Sequence, residues 1–226
     1  MPAFPSLLIV ARVAAPALAL LLLAGPAGAV ERLTPAGKLL PYFDFYLGMP
    51  EARRDRFRPA YQLLVDGRPY AGPVTLVDGG ERTPLAVGPD GRFERFPTLA
   101  QLKRRPRIAL EAPAGARIKS DLGVEALVPH APEMATGGMA AAIEQLNAAM
   151  RSAAGVLAFV VPRFGRAFFV FGGRQGVRVA ADGSTRPLPL GEDEPVEPFY
   201  SPSRHPEAVA VRFPAAPARV LLVPGK

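Results

Sequence analysis

The sequence predicts a mainly β protein of α+β type: an N-terminal β-sandwich followed by a smaller sheet packed with one amphipathic helix. Three observations predict it. Asp66-Gly67, Asp78-Gly79-Gly80 and Asp90-Gly91 recur about every 12 residues and divide short apolar runs, the punctuation of successive short strands. Of the 27 prolines, 23 lie beyond residue 29, and each is excluded from a helix interior or a central ladder position. Helical periodicity stands out in residues 136–152, where Met139, Ile143, Leu146 and Met150 follow one another at spacings of four, three and four, one apolar stripe.

The chain opens as a leader for export. Arg12 precedes an apolar run that ends in Gly25-Pro26-Ala27-Gly28-Ala29, small residues of the kind signal peptidase reads, so cleavage is expected after Ala29. The 17 residues from Val13 to Ala29 are interrupted by Pro16, Gly25, Pro26 and Gly28, too short and too broken for the roughly 20 apolar residues a membrane span needs. There is no cysteine, which excludes lipidation at the cleavage point, disulfides, thiol catalysis and thiolate metal sites. The expected product is a periplasmic or secreted protein with no transmembrane helix. Its 197 residues suffice for one large core or two small ones.

Beyond the leader, residues 39–47 alternate, with Phe43, Phe45 and Leu47 on one face and Tyr42, Asp44 and Tyr46 on the other. The pattern predicts a half-buried strand whose tyrosines remain free for ligands. Pro50 suits the first position of a single helical turn through Arg54. Strands are then expected at residues 61–65, around Val74 and Leu76, around Leu85 and Val87, at Phe93, and over residues 106–112 and 118–128. The aspartates of the Asp-Gly turns are read as structural, because their carboxylates bond nearby backbone N–H groups.

Within this region, Gly67-Arg68-Pro69-Tyr70-Ala71-Gly72-Pro73-Val74-Thr75-Leu76-Val77, then Thr83-Pro84-Leu85 and Asp90-Gly91-Arg92-Phe93, resembles the prealbumin-like, carboxypeptidase-regulatory-like sandwich domains. Those modules show a glycine-rich opening, a strand, and a later Asp-Gly-x-Phe step into the next strand. The resemblance implies a sandwich fold and carries over no catalytic residue.

Pro129-His130-Ala131-Pro132-Glu133 reads as a connector, dividing the chain into a leader (1–29), a sandwich (30–130) and a helix-plus-sheet domain (131–226). The helix is expected to stop at Gly155 and to leave Glu144, Asn147 and Arg151 on its solvent flank. Apolar runs at 157–161, 166–171, 177–180, 208–213 and 219–223 predict a second sheet.

Few residues point to chemistry. Gly-x-Ser-x-Gly does not occur, and the imidazoles are His130 and His205, both beside prolines in loop-like segments and read as surface histidines. A hydrolase reading would join His205 to Ser203 or Ser201 and to Glu194 or its acidic neighbours Glu192, Asp193 and Glu197. The same acidic run lacks the spacing and central glycine of a calcium loop, so no metal is expected from it. Gly172-Gly173-Arg174-Gln175-Gly176 lacks the Lys-Ser/Thr of a phosphate-binding loop and reads as a hairpin turn. No cofactor is expected.

The net charge is +7 before and +6 after removal of the leader, favouring anionic surfaces. Two basic clusters carry it: Arg53, Arg54, Arg56 and Arg58, and Lys103, Arg104, Arg105 and Arg107. Each could touch anionic lipid or glycan, and export argues against nucleic acid. The leading expectation is therefore a non-catalytic exported adaptor or binding protein, whose partner is another envelope protein or an anionic envelope surface.

Overall fold

A computed structural model describes residues 28–155, 162–170, 175–191 and 197–225. Most of the leader, the expected strand at 157–161, Gly172 to Arg174, and Glu192 to Glu194 lie outside the described residues.

The described chain begins with strand β1 (Ala29–Pro35) and two short helices, α1 (Ala36–Leu39) and α2 (Phe43–Gly48). These helices replace the strand expected at residues 39–47. Phe43, Tyr46 and Leu47 also stand at helical spacing, and these are the side chains that reach the core. Phe45, expected inside, is 38% exposed. Tyr46, expected free, is packed: its hydroxyl donates to the Phe57 carbonyl at 3.2 Å and its ring lies against Phe43 and Phe57. Pro50 does open a single turn, over Glu51–Arg53.

Strands β2 (Phe57–Val65), β3 (Arg68–Pro69), β4 (Val74–Asp78) and β5 (Glu81–Leu85) follow, then helix α3 (Leu99–Lys103) and strands β6 (Arg107–Pro113) and β7 (Ile118–Ala126). β1 pairs with β6 over its whole length in a sheet ordered β1-β6-β4-β5, and β7 pairs with β2 over nine residues. The two layers enclose one core of Tyr61 and Leu63 from β2, Val74, Leu76 and Leu85 from β4 and β5, and Ile108, Leu110 and Ala112 from β6. Positive φ at Asp66, Gly67, Gly79 and Gly80 makes the tight hairpins β2–β3 and β4–β5. Gly91 allows a close approach: its carbonyl accepts the Leu63 N–H at 2.7 Å, and a Cβ there would stand 2.6 Å from the Leu63 oxygen.

The second half comprises β8 (Glu133–Ala135), the long helix α4 (Thr136–Ala154), β9 (Phe164–Val170), β10 (Val177–Ala180), β11 (Thr185–Pro187), β12 (Phe199–Tyr200), β13 (Ala208–Arg212) and β14 (Arg219–Pro224). One sheet runs β11-β10-β13-β8, and a six-stranded sheet runs β12-β9-β14-β7-β2-β3. The six-stranded sheet takes strands from both sides of residue 130 and is joined where β14 pairs with β7 at Leu221 and Glu125.

Met139, Ile143 and Leu146 of α4 pack against Ala167 and Phe169 of β9, Val220 and Leu222 of β14, and Val211 and Phe213 beside them. The helix ends at Gly155. Asn147, expected on the solvent flank, is buried instead: its Nδ2 donates to the Phe164 carbonyl at 2.9 Å and its Oδ1 accepts the Phe164 N–H at 2.8 Å. Helical spacing put it beside Glu144 and Arg151, but β9 begins close enough to take its amide. On the other side of the helix, Gln145 accepts the Arg56 N–H at 2.9 Å and donates to the Ala52 carbonyl at 3.1 Å and to Asp55 at 2.6 Å. The turn after α2 is thereby tied to α4.

Candidate functional site

Three places answer the sequence's candidates. The first is the turn after β12. His205 is buried rather than exposed, because the turn from Ser201 folds its ring beneath Phe199 and Tyr200, with centroids 6.4 and 6.1 Å away. Its Nδ1 accepts the Ser201 backbone N–H at 3.3 Å, while the His205 backbone N–H donates to the Ser201 carbonyl at 2.9 Å. Burial first, then the nearby Arg178, pushes its pKa below the ordinary histidine range; Glu207 opposes the shift and Arg204 adds to it. With Nδ1 as the acceptor, the ring proton sits on Nε2. The Ser201 and Ser203 hydroxyls lie 3.2 Å apart.

A base for serine must present a free ring nitrogen to the hydroxyl. Here the accepting nitrogen is taken by the backbone. Glu194, the acid of the hydrolase reading, lies outside the described residues. Ser203 is exposed and lines a cavity of about 410 Å³ with Ile143, Glu144, Asn147, Arg163 and Phe164. His130 is an exposed loop residue.

The second place is the pair of basic clusters, much of which the fold ties down. Arg54 donates to the Met49 carbonyl at 3.1 Å and covers the Tyr46 ring. Arg58 meets Glu125 at 2.8 Å. In the other cluster, Arg104 donates from Nε to Asp78 at 2.6 Å and also from its terminal nitrogen, and Arg107 donates to the Leu33 carbonyl at 3.2 Å. The guanidinium of Arg104 is raised above its ordinary range chiefly by the Asp78 hydrogen bond. Arg53, Arg56, Lys103 and Arg105 remain exposed.

The third place was only partly legible. A cleft of about 370 Å³ lies between α1, α2 and the end of α3, lined by Leu40, Leu102 and Pro106 and by the polar groups of Tyr42, Asp44 and Arg105. Thr98 starts α3 with a capping box: its hydroxyl accepts the Gln101 N–H at 3.3 Å, and Gln101 accepts the Thr98 N–H at 2.9 Å. That Thr-x-x-Gln spacing was the available sequence signal for α3, and it sets Arg105 one residue past the helix C-cap with φ 56°. Tyr42 stands between α1 and α2 with φ 64° and is 73% exposed. Asp44 also acts inward. Its charge adds to burial in raising the pKa of the Tyr61 phenol, which donates to the Pro41 carbonyl at 2.6 Å.

Among the described residues, no group of three or more His, Asp or Glu side chains is placed to hold a metal ion. No helix among them is long and apolar enough to cross a membrane. In comparison with known proteins, the chain matches no family model, no curated protein and no solved structure.

Proposed function

We propose that this chain is a non-catalytic exported binding protein, acting in the periplasm or outside the cell after cleavage at Ala29, with a prealbumin-like sandwich as its first module. The observation that carries the non-catalytic reading is the occupied Nδ1 of His205: the buried ring serves the backbone of its own turn. Export is supported by the leader's composition, and the pairing of β1 is compatible with it. Cleavage after Ala29 removes one register pair, Ala29 with Pro113, and leaves Val30 to Pro35 paired with β6. The sandwich likeness is supported by two facing sheets around a single apolar core.

Two measurements test this. Expression of the full chain in an exporting host, followed by N-terminal sequencing, should find Val30 first; a retained Met1 in the cytoplasm overturns export. A fluorophosphonate probe should leave the purified protein unlabelled. Labelling that Ser203→Ala or His205→Gln abolishes would establish the hydrolase reading instead, with the Ser203 cavity as its site.

A further inference from the structure

We propose that the cleft between Tyr42, Asp44 and Arg105 is a saccharide-binding site. This rests on the binding-protein reading and names its ligand class. The cleft, at about 370 Å³, falls within the roughly 300–1,000 Å³ of small-ligand sites. It is lined by apolar Leu40, Leu102 and Pro106 and by three groups of different chemistry, Tyr42, Asp44 and Arg105.

The backbone marks this cleft. Among the described residues, three that are not glycine take positive φ: Tyr42, Asp66 and Arg105. Asp66 belongs to an Asp-Gly hairpin turn, where that conformation is routine. The other two both line the cleft. At such positions glycine meets least steric resistance, so the large side chains are held there against a backbone preference. Strain of this kind gathers where a side chain has work to do.

The charges point the same way. Arg104 is paired with Asp78 and Arg58 with Glu125, yet Arg105 and Asp44, on the same cleft, share no hydrogen bond or ion pair among the described residues. A cation and a carboxylate left apart beside an exposed phenol ring match the three needs of a sugar. The guanidinium donates to one hydroxyl, the carboxylate accepts from another, and the apolar C–H face of the pyranose lies on the tyrosine ring. A bare phosphate would use Arg105 but would be repelled by Asp44. The carboxylate therefore separates the two ligand chemistries.

The test is an array of neutral, amino-sugar and uronic-acid oligosaccharides probed with protein purified from the full chain, then an NMR titration with the best-bound oligosaccharide and, separately, with inorganic phosphate. The expected result is binding that shifts the amides of Ala36, Gly37, Tyr42, Asp44 and Arg105. Tyr42→Ala, Asp44→Ala and Arg105→Gly should each weaken it about tenfold, the effect of losing one hydrogen bond to a charged group or one ring face. Tyr42→Phe should retain binding, because the ring is kept. Arg105→Gly suits the positive φ, so it separates loss of the guanidinium from loss of the fold. No bound oligosaccharide, or binding unaffected by Tyr42→Ala and Asp44→Ala, overturns the proposal. Phosphate binding that tightens in Asp44→Ala also overturns it, in favour of an anion site. These outcomes leave the export and labelling results untouched, so failure of the site and failure of the binding-protein reading are distinguishable.

Discussion

The sandwich core and the core beneath α4 close in different ways. In the sandwich, the buried side chains are apolar apart from the Tyr61 phenol, and the backbone is satisfied by long ladders such as the nine pairs of β2 with β7. The six buried polar or charged residues among the described residues are Glu125, Thr136, Asn147, Arg166, Ser201 and His205. All lie at the junction strand or in the second half. Several cap remote backbone: Thr136 donates to the Ala208 carbonyl at 2.7 Å, Asn147 bonds Phe164, and Arg166 donates twice to the Pro224 carbonyl at 3.0 and 2.8 Å. The strands of the second half are short and brought together by crossings, so their ends leave groups that neighbouring strands do not reach. Side chains fill that role, and each therefore fixes where an element sits.

The largest test of this contrast asks whether the two cores unfold together. Phe169→Ala, at a fully buried position, should cost about 3–5 kcal/mol. Because the six-stranded sheet spans both halves, calorimetry should show one transition moved to lower temperature. A C-terminal transition that falls while a separate N-terminal one stays in place would break the coupling.

Asn147→Ala leaves the Phe164 N–H and carbonyl without their side-chain partner and should cost about 2–3 kcal/mol, measured by urea denaturation. A change below the level of an exposed alanine substitution would show that the caps are dispensable. Gln145→Ala, which cuts the tie between α4 and the turn after α2, should cost about 1 kcal/mol and speed amide exchange at Arg56. Unchanged exchange there would refute the clamp.

His205 gives the contrast a pH dependence. Its folded-state pKa is depressed, so as pH falls below about 6.5 the unfolded chain takes up a proton that the folded chain refuses. The stability present above that pH is lost on acidification, and His205→Gln should flatten this part of the profile. An equally steep profile in the variant would assign the effect to other groups. The smallest change is Arg105→Gly. Relief of the left-handed backbone outweighs or balances the added chain entropy, so thermal stability should stay level or rise by roughly 0–1 kcal/mol. A clear loss would mean the Arg105 side chain supports the fold itself.

Much of this architecture was legible wherever one local cause acted alone. The Asp-Gly turns, strands β2, β4, β6 and β7, the single turn after Pro50, and the stripe and end of α4 each follow from turn chemistry, proline geometry or one periodicity. Residues 39–47 carry two periodicities, since Phe43, Tyr46 and Leu47 fit a helix while Phe43, Phe45 and Leu47 fit a strand, and docking on β2 chose between them. The loop-like surroundings of His205 implied exposure, and only the packing of Phe199 and Tyr200 on its ring reversed it. The candidate cleft was less legible still, since Tyr42 and Arg105 are far apart in the chain.

By itself the sequence determined the β-rich class, the hairpins and the amphipathic helix, because these depend on side-chain period and on which residues tolerate positive φ. It also determined the absence of cysteine chemistry. Tertiary structure decided which arginines are paired, which aromatic rings are exposed, and that strands from both halves share one sheet. Those outcomes depend on partners tens of residues away, such as Asp78 for Arg104 and Glu125 for Arg58, and no local pattern specifies a distant partner.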